Sequence, residues 1–301
     1  MGDGESNWLA VAGNFGKEIA QLPPALFNRL SWMFCPEKLT TSYQNEAISK
    51  ATRQYLEDAF PKYIQHIASL SPDQNPALVV RAVSMETEQI VSKQKNREHI
   101  AKNAIIELED IIETGLPEKE PSKEFKDTFF RYAENISTEE AQKLWGKLLA
   151  GEIRNPGSFC PMTMSILSKM SIEHAEIFRT LCHCTPDDDP FTYVYFNSEN
   201  KLIPNGYAAS ILESYGLIKM DGYIYRDEDM TLSYGKYKII IKSIKNKKIV
   251  TDVCTPFAYE LRQLVTIDSN LIDKIFPEIV KNLRTQRHLD IEIINGPEGV
   301  S

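Results

Sequence analysis

The sequence predicts a mainly helical protein, with an N-terminal multi-helical domain followed by a smaller α+β domain. Three observations carry that expectation. Apolar residues recur three and four apart through most of residues 8–184, the period of a helix with one buried face. Beyond Thr185 the run Pro186-Asp-Asp-Asp-Pro190 breaks the pattern, and segments rich in β-branched and aromatic residues follow. A chain of 301 residues that is 42% hydrophobic has material for two modest cores. The expected divisions are an apolar N-terminal helical segment over 1–40, a helical domain with a long bridging helix over 41–185, and the α+β domain over 186–301.

Taken in order, Trp8, Ala12, Phe15, Ile19 and Leu22 share one helical face, and Pro23-Pro24 ends or kinks that helix. Leu26, Phe27, Leu30, Trp32 and Met33 continue the apolar character. Lys17, Glu18 and Arg29 interrupt the segment, so no stretch approaches the roughly 20 apolar residues of a membrane span. Two readings stay open. The segment covers the protein's own core, or Trp8, Phe15, Phe27 and Trp32 meet a membrane surface or a partner. Ile48, Ala51, Tyr55, Ala59, Tyr63 and Ile67 trace a second stripe over 42–70. Residues 77–114 then predict one long helix. Leu78, Ala82 and Met85 make one end apolar, and Ile100, Ala104, Leu108 and Ile111 the other. The middle, Ser92 to His99, is polar all round, which predicts a helix that bridges two packed regions across solvent.

Ser137, with Glu140 three residues on, matches a capping box, and Ala141, Leu144, Trp145, Leu148 and Leu149 follow on one face. Asn155-Pro-Gly-Ser158 predicts a turn, with Glu152 placed to bind its backbone. Pro161 suits the first position of the next helix, and Ser171 the N-cap of another. Thr192–Phe196 predicts a strand; Pro204-Asn-Gly opens a short helix that Gly216 ends. Asp221-Gly222 reads as a hairpin turn. Tyr237–Ile244 and Lys248–Val253 read as paired strands around Lys245–Lys248. Thr255-Pro256 opens a further helix, another covers 270–285, and Leu289–Ile294 alternates as a terminal strand. This order of short helix, glycine, extended pair, basic hairpin and helix resembles a winged-helix domain, so the C-terminal domain is expected to be winged-helix-like.

The net charge of −8 argues against a protein that coats nucleic acid over its whole surface. The five cysteines, Cys35, Cys160, Cys182, Cys184 and Cys254, are odd in number and show no repeated spacing, which suggests reduced thiols in a cytoplasm. The start, Met1-Gly-Asp-Gly-Glu-Ser6, lacks the basic region of a secretory signal, and it matches the short pattern for N-myristoylation. The expected location is cytoplasmic, with the inner face of the cell membrane as a peripheral site.

Three stretches carry a family resemblance: Gln94-Lys-Asn-Arg-Glu-His-Ile100, Phe125-Lys-Asp-Thr-Phe-Phe-Arg-Tyr-Ala-Glu134, and the segment from Ser137 to Phe159. Their order and spacing are similar to a bacterial family of unknown function marked by the run Trp-Gly-Lys-Leu-Leu-Ala-Gly-Glu, here Trp145 to Glu152. The helical part more loosely resembles the abortive-infection alpha-type proteins. The resemblance covers roughly residues 80–185. It implies a setting in defence against phage and supplies no catalytic residues.

Candidate chemistry is sparse. Cys182-His183-Cys184, with Asp187-Asp-Asp189 and His174 nearby in sequence, has metal-binding residue types without the paired spacing of structural zinc. Buried thiols at the end of a core helix are the expectation, with no metal and no cofactor. Glu139 and Glu140 suit the first turn of a helix, where its dipole favours negative charge. Ser158 lacks the G-x-S-x-G elbow of a hydrolase nucleophile, and neither phosphate-binding glycine motif occurs. The lysine run is the better candidate: Lys236, Lys238, Lys242, Lys245, Lys247 and Lys248, interleaved with Tyr234 and Tyr237. Such a run contacts nucleic-acid phosphates or anionic lipid, or simply solvates an exposed strand edge.

The functional expectation is a non-enzymatic phage-defence protein that acts by contact with a membrane surface or with a partner protein encoded nearby. The alternative is a winged-helix nucleic-acid-binding regulator. Either is compatible with an oligomer.

Overall fold

The computed structural model describes residues 22–34, 76–110, 115–187, 192–193, 205–225, 228–242, 248–285 and 289–296. The predicted helices over 8–22 and 42–70 and the lysines at 245 and 247 lie essentially outside them. The described chain is mainly helical, with a small sheet region toward its C-terminal end. It divides into two compact units, residues 1–158 and 159–301.

In the first unit, α1 (Pro24–Phe34) starts on a proline at the position where a missing N–H costs nothing. It buries Leu26, Leu30 and Met33. Its Arg29 guanidinium donates to the carbonyls of Pro117 and Lys119, both at 2.5 Å, and so ties the helix to the connection that precedes α3. The long helix α2 runs from Pro76 to Glu107. α3 (Lys123–Ala133) is capped by Ser122, whose hydroxyl accepts from Phe125 N at 3.1 Å. α4 (Glu139–Arg154) buries Trp145, Leu148, Leu149 and Ile153. Phe129 on α3 is the hub of the aromatic core, with ring centroids 5.4 Å from Trp145, 5.5 Å from Phe125 and 5.8 Å from Trp32.

Two local expectations are corrected here. The capping box does not form: Thr138 is extended, at φ −85 and ψ 144, so it cannot serve as the first helical residue after Ser137, and α4 begins one residue later with Thr138 as N-cap and no side-chain bond. The long helix does not pack at both ends and cross solvent in the middle. Its predicted bridge holds the buried Arg97, while Leu78 and most of residues 81–92 are exposed.

The second unit opens with α5 (Pro161–Lys169) and α6 (Ile172–Cys184), so it takes in residues ahead of the boundary expected at 186. The reason is packing: α5 lies on α8 (Pro256–Arg262), and α6 on α9 (Ser269–Thr285). Glu260 on α8 fixes α5 by accepting from Cys160 N at 2.8 Å and from the Thr163 hydroxyl at 2.6 Å. Ser171 caps α6 as the sequence predicts, accepting from His174 N at 3.2 Å.

Two antiparallel three-stranded sheets complete the unit. The first has β1 (Thr192–Tyr193) and β2 (Ile218–Tyr225) on either side of β5 (Lys248–Cys254). α7 (Gly206–Ser214), capped by Asn205, leads into β2. The second sheet has β4 (Tyr237–Ile241) between β3 (Met230–Tyr234) and β6 (Ile291–Ile294). Phe276 on α9 covers it, 4.5 Å from the Tyr237 ring and 5.9 Å from Tyr234.

The predicted pairing of 237–244 with 248–253 is therefore wrong. Tyr237, Ile239 and Ile241 are buried and pair with Leu232 and its neighbours, while 248–254 joins a different sheet. Gly235, at φ 57, makes the tight turn from β3 into β4 that sets this register. Asp221-Gly222 is not a hairpin turn either; it sits inside β2, where the register with β5 shifts.

Candidate functional site

Arg97 is the centre of a polar cluster that draws on three separated stretches of sequence. It stands at the level of α2 where packing begins: Ile100, Ala101, Ala104 and Leu108 beyond it are fully buried. Only 8% of Arg97 is exposed. Its guanidinium lies 4.3 Å over the Phe130 ring, and it donates to Glu134 Oε2 at 3.2 Å and to Gln94 Oε1 at 2.7 Å. Burial lowers the Arg97 pKa from its ordinary value, and the Glu134 carboxylate opposes that shift. Lys93 also reaches Glu134, at 3.1 Å. Asn96 donates to Glu134 O at 2.9 Å, and Gln142 on α4 donates to Asn96 Oδ1 at 3.3 Å and to Ile136 O at 2.9 Å. The cluster locks α2, α3 and α4 in one arrangement. Below it Gly146 brings α4 so close to α2 that an added Cβ would stand 2.5 Å from Asn103 Cβ.

On the N-terminal side of this cluster large apolar residues of α2 are exposed, with no described element packed over them. Met85 is 61% exposed, Ile90 57%, Leu78 52% and Val91 48%. Leu78 and Met85 share one side of the helix, while Ile90 and Val91 lie on other sides of the same exposed segment. The sequence signal was present, because Leu78 and Met85 stand out as an apolar end. That this end would lie uncovered follows only from where α3 and α4 dock.

The other predicted residues fall as follows. Trp8 and Phe15 lie outside the described residues. Phe27 and Trp32 are half-buried on α1, and Trp32 donates from Nε1 to Arg29 O at 2.8 Å while its ring meets Phe129 edge-on. Lys236 pairs with Asp273 at 3.0 Å and lies over the Tyr237 ring. Lys242 pairs with Glu292 at 3.0 Å and Asp229 at 3.5 Å. Lys238 is exposed on β4; Lys248 begins β5; Lys245 and Lys247 lie outside the described residues. The described lysines of the run thus lie on or beside strands of two different sheets, and two of them are matched by carboxylates.

Cys182-His183-Cys184 is buried. His183 spends both ring nitrogens on the backbone, Nδ1 with Arg179 O at 2.7 Å and Nε2 accepting from Asp268 N at 3.0 Å. Burial raises the Cys182 thiol and pushes Cys184 up to about 12. Among the described residues no group of three or more His, Cys, Asp or Glu is placed to hold a metal ion. Glu152 accepts from Gly157 N at 2.8 Å, the turn contact its position predicts. Ser158 donates to Asn155 O, and His174 Nδ1 meets the Tyr215 hydroxyl at 2.9 Å. No described helix is long and apolar enough to cross a membrane.

The fold and this geometry define a mainly helical protein of two units, with a polar cluster bracing a partly uncovered long helix. The chain belongs to the family described as protein of unknown function (DUF2806), which matches residues 80–253 and so includes all three stretches that meet at Arg97. No curated protein and no solved structure matches it.

Proposed function

We propose that this chain acts by protein contact and not by catalysis, in the phage-defence setting that the abortive-infection resemblance implies. The observation that carries the reading is the uncovered first half of α2, where Leu78, Met85, Ile90 and Val91 are about half exposed or more. A protein partner suits that segment better than an anionic membrane, because Glu86 and Glu88 lie on it and would repel acidic headgroups. The ionisable groups described above have structural employment: Glu134 steadies Arg97, Glu260 anchors α5, and His183 pairs with backbone. The test is a plaque assay in bacteria expressing the chain. Met85→Glu and Ile90→Glu should abolish protection while leaving the circular-dichroism spectrum unchanged. Full protection by both variants would overturn the reading.

One observation favours a second reading. The order β1-β5-β2, with α7 leading into β2, is the strand order of a winged-helix domain, and it supports the winged-helix-like assignment. A nucleic-acid-binding regulator would present α7 to the duplex. That helix, Gly-Tyr-Ala-Ala-Ser-Ile-Leu-Glu-Ser, carries no basic side chain, which weakens phosphate contact. A mobility-shift experiment with duplex DNA at low salt separates the two. A salt-sensitive shift that Lys245→Glu, Lys247→Glu and Lys248→Glu remove together would favour the regulator.

A further inference from the structure

We infer that the partner of the uncovered half of α2 is a second copy of this chain, paired antiparallel about Met85; the inference rests on the contact reading above. Leu78, Arg81, Met85 and Glu88 follow one another at spacings of three, four and three, so they form one stripe along the helix. All four are exposed. Neither Arg81 nor Glu88 has an ion-pair partner among the described residues. A twofold axis through the level of Met85 sets Met85 against its own copy. Arg81 lies four residues before that level and Glu88 three after it. In an antiparallel pair Arg81 of one copy therefore stands within one residue's rise, about 1.5 Å, of Glu88 in the other. The twofold repeats the pair on the far side, so two Arg–Glu contacts flank one methionine contact. Leu78, seven residues before the axis, meets the level of Ser92, which lies on the same side of the helix as Met85. A parallel pairing would instead set Arg81 against Arg81 and Glu88 against Glu88, so the charges fix the direction.

Residues 78–92 span about 22 Å of helix. A contact of that length stays below the roughly 1,200 Å² of a standard interface, so the dimer should dissociate on dilution. Sedimentation velocity of the full chain between about 1 and 100 μM reads this. The wild-type coefficient should rise with concentration. Arg81→Glu and Glu88→Arg should each weaken association roughly 10-fold, because each replaces two attractions with two repulsions. The double swap R81E/E88R should return association to within about threefold of wild type. Met85→Cys should give a covalent dimer on mild oxidation, and Ile106→Cys, exposed on the packed half of the helix, should not. A wild-type chain that stays monomeric throughout overturns the pairing, as does a double swap no better than the single variants. The contact reading fails separately. A monomeric wild type whose Met85→Glu variant loses plaque protection sinks the self-pairing and leaves the contact reading standing. Charge swaps that behave as expected, with Met85→Glu still protecting, do the reverse.

Discussion

Replacing Gly146 with alanine tests the crossing of α2 and α4 directly. The added Cβ would stand 2.5 Å from Asn103 Cβ and 3.0 Å from Ala104 N. Carbon atoms rest comfortably at about 3.5–4.0 Å, so the helices must separate by about 1 Å. Neither obstacle is the far end of a flexible side chain, so no rotamer change relieves the clash. That places the overpacking cost near the top of its usual span, about 3 kcal/mol. Alanine recovers about 1 kcal/mol through its better helix propensity. The net loss is about 2 kcal/mol, or about 4–8 °C in the melting temperature of a unit this size. Separating the helices also loosens Ile100, Ala104, Trp145 and Leu149, all fully buried. Thermal unfolding followed by circular dichroism measures the effect. Gly206→Ala is the control, because nothing lies within 4 Å of a Cβ there. If Gly146→Ala melts at or above the wild-type temperature, the close crossing is not what this glycine serves.

Three further outcomes follow from the geometry. Arg97→Ala should cost about 2–3 kcal/mol in urea unfolding, and Arg97→Lys should recover little of it, because an ammonium cannot stack flat on Phe130 while reaching both Gln94 and Glu134. Gly235→Ala should cost about 1 kcal/mol, since φ 57 is strained for any residue with a side chain. Among the described cysteines the half-exposed Cys160 should alkylate first, while Cys182 and Cys184 stay unmodified in the native protein near neutral pH, as mass spectrometry of iodoacetamide-treated samples would show. The raised Cys184 pKa favours the neutral thiol in the fold. Its stabilisation is therefore complete below the ordinary value of 9.0 and is lost as pH climbs toward about 12.

Legibility in the sequence followed the range of the interaction. Ser171, Pro161 and the Glu152 turn contact are settled within a few residues, and each reads correctly from spacing alone. Strand partners are settled at longer range. Met230, Leu232 and Tyr234 alternate just before Gly235, so the signal for β3 existed, but β4 and β5 both carry acceptable strand patterns and only the cover supplied by Phe276 separates them. Polarity misled most where charge was matched across distance. Ser92 to His99 looks like a solvated bridge because Arg97 reads as a surface residue, and nothing within the helix reveals that Phe130 and Glu134 will enclose it. The candidate contact surface was half legible for the same reason: its residues are visible as apolar, while their exposure depends on where the other helices stop.

The Arg97 cluster is a poor way to gain stability and a good way to fix geometry. Replacing a buried ion pair with apolar residues of similar volume is often neutral or stabilising, so stability alone does not account for a buried arginine with its Nε unpartnered among the described residues. An apolar contact at this level could slide by a turn along α2. The fork of Arg97, held by Gln94, Glu134 and the Phe130 face, together with Gln142 on Asn96, admits one register only. Register decides which residues of α2 are covered and which project. With the cluster at Arg97, Ile100 and Ala104 go into the core and Met85 and Ile90 stay outside. The same contacts that hold α2, α3 and α4 together therefore set the stripe of Leu78, Arg81, Met85 and Glu88 in place, which is a reason for a buried charge that packing energy does not supply.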